Sequence, residues 1–425
     1  MDIFSAQYAR QLDEQDPIKQ YRKRFELNDP ELIYLDGNSL GALPTSTPER
    51  LKQVIDKEWG DRLIRSWNEG WYDRSQKIGA KIARLIGAHP DEVIVADSTS
   101  VNLFKLAYGA LKLQKGKSKI ISDQLNFPSD IYLLQGLIEL FGQQHKLELA
   151  KSEDGISIST EAIDSLLDDD TALVTLSHVV FKSAYMYDMK TITEHVHRKG
   201  ALMLWDLSHA VGAVPVDLNG CNVDMAIGCT YKYLNGGPGA LAFLYVRKDL
   251  QEKLTSPIWG WFGENNPFEF GLDFSPAKGV RKFLAGTPPV LSLTAIEPAV
   301  DMLNEVGMDK IREKSLSLSN YLIALFYEVL QPLGYRLGTP TDVGYRGSHV
   351  SLKHQEAYRI CKALIDKNIF GKSVIPDFRE PDNIRLGITP LYTTYSEIFE
   401  ATEQLQRIVK EKLYTQFSAA RDEVT

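Results

Sequence analysis

Cysteine is scarce: Cys221, Cys229 and Cys361 are the only three among 425 residues, and no two stand in C-x-x-C spacing. That excludes a disulfide framework and a thiolate zinc site, and a reducing, cytoplasmic setting is expected. No apolar run approaches the roughly 20 residues of a membrane span. The start, Met1-Asp2-Ile3-Phe4 onward to Gln11-Leu12-Asp13-Glu14, lacks the basic and apolar regions of a secretory signal, so a soluble, unsecreted protein is expected. Basic residues are the minority, 48 against 56 acidic for a net charge of −8, which argues against a dominant nucleic-acid surface. Repeats and low-complexity tracts are missing as well. What is present, 44% hydrophobic and 24% charged residues, is the composition of a chain that folds around large cores. Its length exceeds what one core usually holds, so a large unit and a smaller one are expected.

Between Glu92 and Val246, short runs of Val, Ile and Leu alternate with helical patterns. The strand candidates are Glu92 to Asp97, Lys119 to Asp123, Ala172 to Val179, Leu202 to Ser208, Met225 to Thr230 and Ala240 to Val246. They are nearly continuous apolar runs, as strands of a mainly parallel sheet covered on both faces should be. Helices are expected at Val101 to Leu113, Ser129 to Phe141, Thr160 to Leu167 and Met189 to Arg198, so the class is α/β. Upstream, Thr47 caps an expected helix that opens with Pro48. Downstream, Leu293 to Leu330 reads as long helix broken near Gly307. Short strands near Tyr335 and at His349 to Leu352 follow, with helices near Glu356 to Asp366 and Tyr395 to Leu413. The division expected is 1–45, packing on the small unit; 46–291, the large α/β unit; and 292–425, a small α+β unit.

Ligands of open α/β sheets bind beyond the carboxyl ends of the strands. Those ends are polar here: Ser98-Thr99-Ser100, Asn126-Phe127-Pro128-Ser129-Asp130, Ser177-His178, Asp206-Leu207-Ser208-His209 and Thr230-Tyr231-Lys232. Thr99 and Ser100 open a helix whose free N–H groups suit a phosphate, or they are plain caps. Asp206 ends a buried strand and needs a cationic or hydrogen-bonding partner, which a protonated heteroaromatic nitrogen or an arginine would supply. Lys232, before Asn235-Gly236-Gly237-Pro238-Gly239, is either a solvated surface lysine or a Schiff-base nucleophile of lowered pKa. The three together, in this order, describe a pyridoxal-phosphate site.

Five segments resemble the kynureninase family: Leu35-Asp36-Gly37-Asn38-Ser39-Leu40-Gly41, Phe127-Pro128-Ser129-Asp130, Trp205 to Gly212, Tyr231 to Gly239, and Gly286-Thr287-Pro288-Pro289. The likeness runs from about residue 30 to about 390. It implies a fold-type-I, pyridoxal-phosphate-dependent homodimer with active sites at the subunit interface. The implied reaction is hydrolytic cleavage of the Cβ–Cγ bond of L-kynurenine, and of its 3-hydroxy form, to anthranilate or 3-hydroxyanthranilate and L-alanine, in tryptophan degradation. By resemblance, Lys232 would hold the cofactor's aldehyde carbon, Asp206 its ring nitrogen, and Phe127 would stack on its ring. Thr99, Ser100, Tyr231, Trp261 and, from the other subunit, Thr287 would surround the phosphate. Pro128, Ser129, Asp130, Ser177 and His209 complete the cofactor shell. Arg385 would grip the substrate carboxylate, with Ser39 and Trp67 in the substrate pocket, and Tyr231 would donate a proton. Animal members carry Asn where this chain has Thr287, so their preference between the two substrates does not transfer.

Other readings are a cysteine desulfurase-like lyase or an aminotransferase on the same fold, and a binding protein without turnover. A desulfurase needs a reactive cysteine in the C-terminal part, and Cys361 falls in a core-facing pattern with Ala357, Ile360 and Leu364. Gly37-Asn38-Ser39-Leu40-Gly41 also matches the nucleophile elbow of serine hydrolases, but Ala42-Leu43-Pro44 delays the helix that an elbow requires. Gly116-Lys117-Ser118 and Gly371-Lys372-Ser373 lack the earlier glycine of a phosphate loop. His195 and His197 read as surface residues without a third metal ligand.

Overall fold

The computed structural model describes residues 3–420, so the outermost residues of the two terminal segments expected above lie outside it. In chain order its strands are β1 Leu32–Tyr34, β2 Val93–Val95, β3 Lys119–Asp123, β4 Lys146–Ala150, β5 Thr171–Ser177, β6 Leu202–Asp206, β7 Met225–Gly228 and β8 Phe243–Val246. Then follow β9 Arg336–Leu337, β10 Val350–Lys353, β11 Ser373–Ile375, β12 Asp377–Arg379 and β13 Asn383–Leu386.

Seven strands form the main sheet in the order β2-β8-β7-β6-β5-β3-β4, and only β8 runs against its neighbours. Alternate residues of each strand enter different cores. Val174, Leu176, Met203 and Trp205 pack with Ile78, Ile82, Ile192, Val196 and Leu293 on one face. Leu173, Leu202, Leu204 and Ile227 pack with Leu103, Leu106 and Leu134 on the other. Burial on both faces is the reason these strands read as unbroken apolar runs. Truncating a residue such as Leu204 to Ala costs about 2–5 kcal/mol.

Two expectations need correcting. The chain has an additional edge strand, β4, whose sequence Lys146-Leu147-Glu148-Leu149-Ala150 alternates because it is only half covered. The helix near Thr47 spans Ser46–Gln53 with Thr45 at its cap, and the Thr47 side chain makes no cap bond. Pro48 is accommodated because N–H groups in the first turn have no helical acceptor. The break at Gly307 is present, at φ +84°, between helices Val290–Val306 and Met308–Leu325.

A second sheet, β12-β13-β10-β9, lies in the C-terminal part, and β1 pairs in parallel with β11. Ile33 and Leu35 join the same core as Leu352, Leu364 and Ile398. Asp13 accepts hydrogen bonds from the free N–H groups of Tyr395 and Ser396 at 2.7 and 3.0 Å, and Lys314 and Asp16 form a buried ion pair at 2.7 Å. The N-terminal segment is thereby fastened to the last third of the chain. Among the described residues, no helix is long and apolar enough to cross a membrane.

Candidate active site

Because β2, β3, β5, β6 and β7 run in parallel, their carboxyl ends meet on one rim, and a cavity of about 240 Å³ opens there. Nine of the expected cofactor residues line it: Thr99, Ser100, Phe127, Ser129, Asp130, Asp206, His209, Tyr231 and Lys232. Ser98, Ser208 and Gly239, noted in the motifs above without a role of their own, also line it, as does Ala240.

Ser98 caps the helix Thr99–Leu113 by accepting from Val101 N, which leaves the Thr99 and Ser100 hydroxyls at the positive end of a 15-residue helix. The Ser100 and Ser129 hydroxyls lie 3.3 Å apart. Pro128 begins the next helix and Phe127 precedes it, with its ring edge-on to Phe181 at 5.3 Å between centroids.

Asp206 Oδ1 accepts from both Ser208 N at 2.8 Å and Ser208 Oγ at 2.6 Å. Burial raises its pKa despite those bonds. Asp130 is pushed well above the ordinary range by burial and then by the charge of Asp206, and its Oδ2 has no partner. Behind them Ser177 donates to Asn126 Oδ1 at 2.7 Å, so Ser177 is a supporting residue rather than a lining one.

Lys232 Nζ lies 3.4 Å from both ring nitrogens of His209 and 5.9 Å from the Phe127 ring centre. Burial lowers the lysine pKa. Burial and the neighbouring lysine charge hold His209 neutral. Gly41 N donates to Tyr231 O at 2.8 Å, and a Cβ on Gly41 would fall 2.3 Å from Lys232 O. The Asn-Ser-Leu-Gly segment thus touches the lysine loop directly, and only glycine fits.

Arg385 is 1% exposed and is held from several sides. It donates to Phe181 O at 2.6 Å and to Ser39 Oγ at 2.8 Å, and it ion-pairs with Asp377. With its oxygen turned towards the guanidinium, Asn38 accepts from Nε at 3.0 Å. Asn38 appears above only as part of a motif, and Phe181, Asp377 and buried His349, whose ring lies 5.8 Å from that of His209, went unnoticed in the sequence. Asp377 could have been found from its spacing to Arg385 had β12 and β13 been recognised.

Of the expected residues, Pro128, Ser177, Ser39, Arg385, Trp67, Trp261 and Thr287 do not line the cavity of the single chain. Trp67 packs against Trp71 and Phe262, Trp261 donates to Pro267 O at 2.7 Å, and Thr287 is exposed. The His195 and His197 pattern is also not plain surface. The two rings bind Asp164 and Asp224, each at 2.7 Å, and fasten their helix to the end of helix Thr160–Asp164 and to the residue before β7.

The donor set suits a phosphorylated pyridine aldehyde. It offers hydroxyls and N–H groups at a helix start for the anion, the buried Asp206 carboxyl for a ring nitrogen with the unpartnered Asp130 Oδ2 on the same cavity, and a desolvated amine for the aldehyde.

The family model for aminotransferase class-V matches residues 33–369. A kynureninase of Pseudomonas fluorescens is 43% identical over 411 residues, 95% of each chain. The chain belongs to the kynureninase family. Family members from Burkholderia mallei and Burkholderia pseudomallei are 42% identical over 94% of each chain. Among solved structures, the apo cysteine desulfurase of Thermococcus onnurineus superposes with a TM-score of 0.77 at 19% identity, covering 92% of this chain and 98% of its own. The cystine C–S lyase C-DES gives 0.75 at 18%, covering 88% and 97%. These two share the fold with the kynureninase family. Cys361, however, is completely buried in a helix of the C-terminal core, where a desulfurase would need an accessible thiol. Ser39 is no elbow nucleophile, since the next helix begins only at Ser46.

Proposed function

We propose that this protein is a pyridoxal-phosphate-dependent kynureninase that hydrolyses the Cβ–Cγ bond of L-kynurenine to anthranilate and L-alanine. The observation that carries the reading is one cavity that places Lys232, Asp206 and the Thr99–Ser100 helix start together. The 3-hydroxy substrate is included in the proposal.

Bound pyridoxal phosphate supplies an electron sink for carbanions formed next to the substrate's amino-bearing carbon. The chain's residues do the rest. The N–H groups and hydroxyls at Thr99 and Ser100 hold the phosphate. Phe127 would cover one face of the ring, and Asp206, steadied by two bonds from Ser208, would keep a proton on the ring nitrogen. Lys232 holds the cofactor until substrate arrives. Its lowered pKa then makes the free amine a base for the proton at Cα. Arg385 binds the α-carboxylate, with Ser39 beside it. Tyr231, whose ring centre is 5.8 Å from Lys232 Nζ, stands where it can return a proton to Cβ. Help of that kind contributes about 10²–10⁴-fold.

The working unit in this proposal is a homodimer. Trp59, Leu63, Ile64 and Leu291 are all exposed, and Trp59 and Leu291 line one apolar hollow of about 330 Å³. Thr287 precedes that hollow in sequence, so a second copy covering it would bring Thr287 towards the neighbouring cavity.

The test is anthranilate fluorescence when cofactor-loaded protein meets L-kynurenine, beside Lys232→Ala. Turnover that vanishes in the variant supports the proposal. Cofactor-loaded protein without turnover overturns it, and sulfide release from L-cysteine would move the function to a sister lyase.

A further inference from the structure

Arg385 does not stand alone. Strands β12 and β13 are antiparallel, with Asp377 opposite Arg385 and Arg379 opposite Asn383. Opposite residues, and residues two apart on one strand, share a face of the sheet, so Asp377, Arg379 and Arg385 lie together. The intervening Phe378 and Ile384 point to the other side, into the C-terminal core.

Asp377 is a bridge: one carboxylate oxygen pairs with Arg385 and the other with Arg379 Nη1 at 3.2 Å. Its side chain is 5% exposed and that of Arg385 1%, whereas Arg379 is 38% exposed. A buried guanidinium needs a counter-charge, and Asp377 supplies it. A simple Arg385–Asp377 pair would be neutral, however, and would offer an incoming carboxylate no net attraction. Arg379 changes the sum: Asp36, pushed up to about 6 by burial and by Asp377, also faces the cluster, so with Arg379 the net charge is +1 or 0 as Asp36 is protonated or ionised, against 0 or −1 without it.

We propose that Asp377 and Arg379 are positioning residues for the substrate carboxylate. Asp377 fixes the plane of the Arg385 guanidinium, and Arg379 provides the charge that Asp377 would otherwise take from it. The inference rests on the function proposed above only in taking Arg385 as the carboxylate site.

The experiment needs no turnover. Binding of L-alanine and of L-alaninamide, which lacks the carboxylate, is read from the absorbance of the cofactor-loaded protein. Arg379→Gln should weaken L-alanine about tenfold and leave L-alaninamide unaffected, the loss of one charge-assisted contact. Arg379→Lys should restore most of the affinity. Asp377→Asn frees positive charge while it loosens the Arg385 guanidinium, and that change is buried, so Arg379→Gln carries the decision. Unchanged L-alanine binding in Arg379→Gln, or equal weakening of both ligands, overturns the proposal. The failure of the kynureninase reading would show separately, as absent anthranilate.

Discussion

Lys232 Nζ is equidistant, at 3.4 Å, from Nδ1 and Nε2 of His209. Equal distances set the amine off the in-plane axis of either nitrogen, so the two groups are neighbours without a strong shared proton. Burial disfavours the charged form of each.

The lysine of cofactor-free protein should therefore titrate below about 10.4, the ordinary lysine value. In the interval between its lowered folded pKa and that value, only the unfolded chain holds the proton, so stability rises with pH there. Lys232→Met should flatten this rise. The pH dependence of Lys232 acetylation, followed by peptide mass spectrometry, gives the midpoint, and one at or above the ordinary value would refute the assignment.

Asp130 behaves in the opposite sense. Its raised pKa means that the folded, cofactor-free protein holds a proton the unfolded chain has lost. The associated stability is full below about pH 4 and drains away as pH rises through the folded pKa. Asp130→Asn should remove that decline, so thermal melting at pH 8 should occur higher than in the parent. Melting curves at pH 5 and pH 8 decide it. A variant that keeps the full decline would show that the burden lies on another carboxyl.

Two glycines make a paired prediction. Gly41→Ala places a Cβ 2.3 Å from Lys232 O and 2.4 Å from Asn235 Oδ1, so it should displace the lysine loop and reduce turnover at least about tenfold. Gly136→Ala, in the helix Pro128–Leu140 with open space around it, should instead stabilise the protein by about 0.5–1 kcal/mol. Chemical denaturation and anthranilate assays of both variants check the pair.

Ile64 is 76% exposed beside Leu63 at 57%. Ile64→Asp should shift sedimentation towards a single chain and weaken cofactor retention in parallel. An unaltered sedimentation profile would refute the proposed dimer contact at Ile64.

The large sheet and its polar rim were legible because burial on both faces leaves a sequence mark, a run such as Leu202-Met203-Leu204-Trp205 ending in Asp206. An edge strand such as β4 leaves only a short alternation, and it was missed. The Arg385 cluster was half legible. A motif can name the arginine, but Asp377 and Arg379 become its neighbours only through the register of two short strands. Thr287 is expected to act from another subunit, which no pattern within one sequence can display, whereas Trp67 and Trp261 find ring and carbonyl partners within their own chain.

The parallel pairing of Leu32–Tyr34 with Ser373–Ile375 joins segments about 340 residues apart. At about 5–20 residues per second of synthesis, the strand that leads to Asn38, Ser39 and Gly41 waits roughly 20–70 seconds for its mate to emerge. The main sheet, complete by Val246, can form well before that. Birth order and assembly order are thus inverted at this site: β1, made before every strand of the main sheet, is paired only after that sheet can be complete, when β11 has emerged.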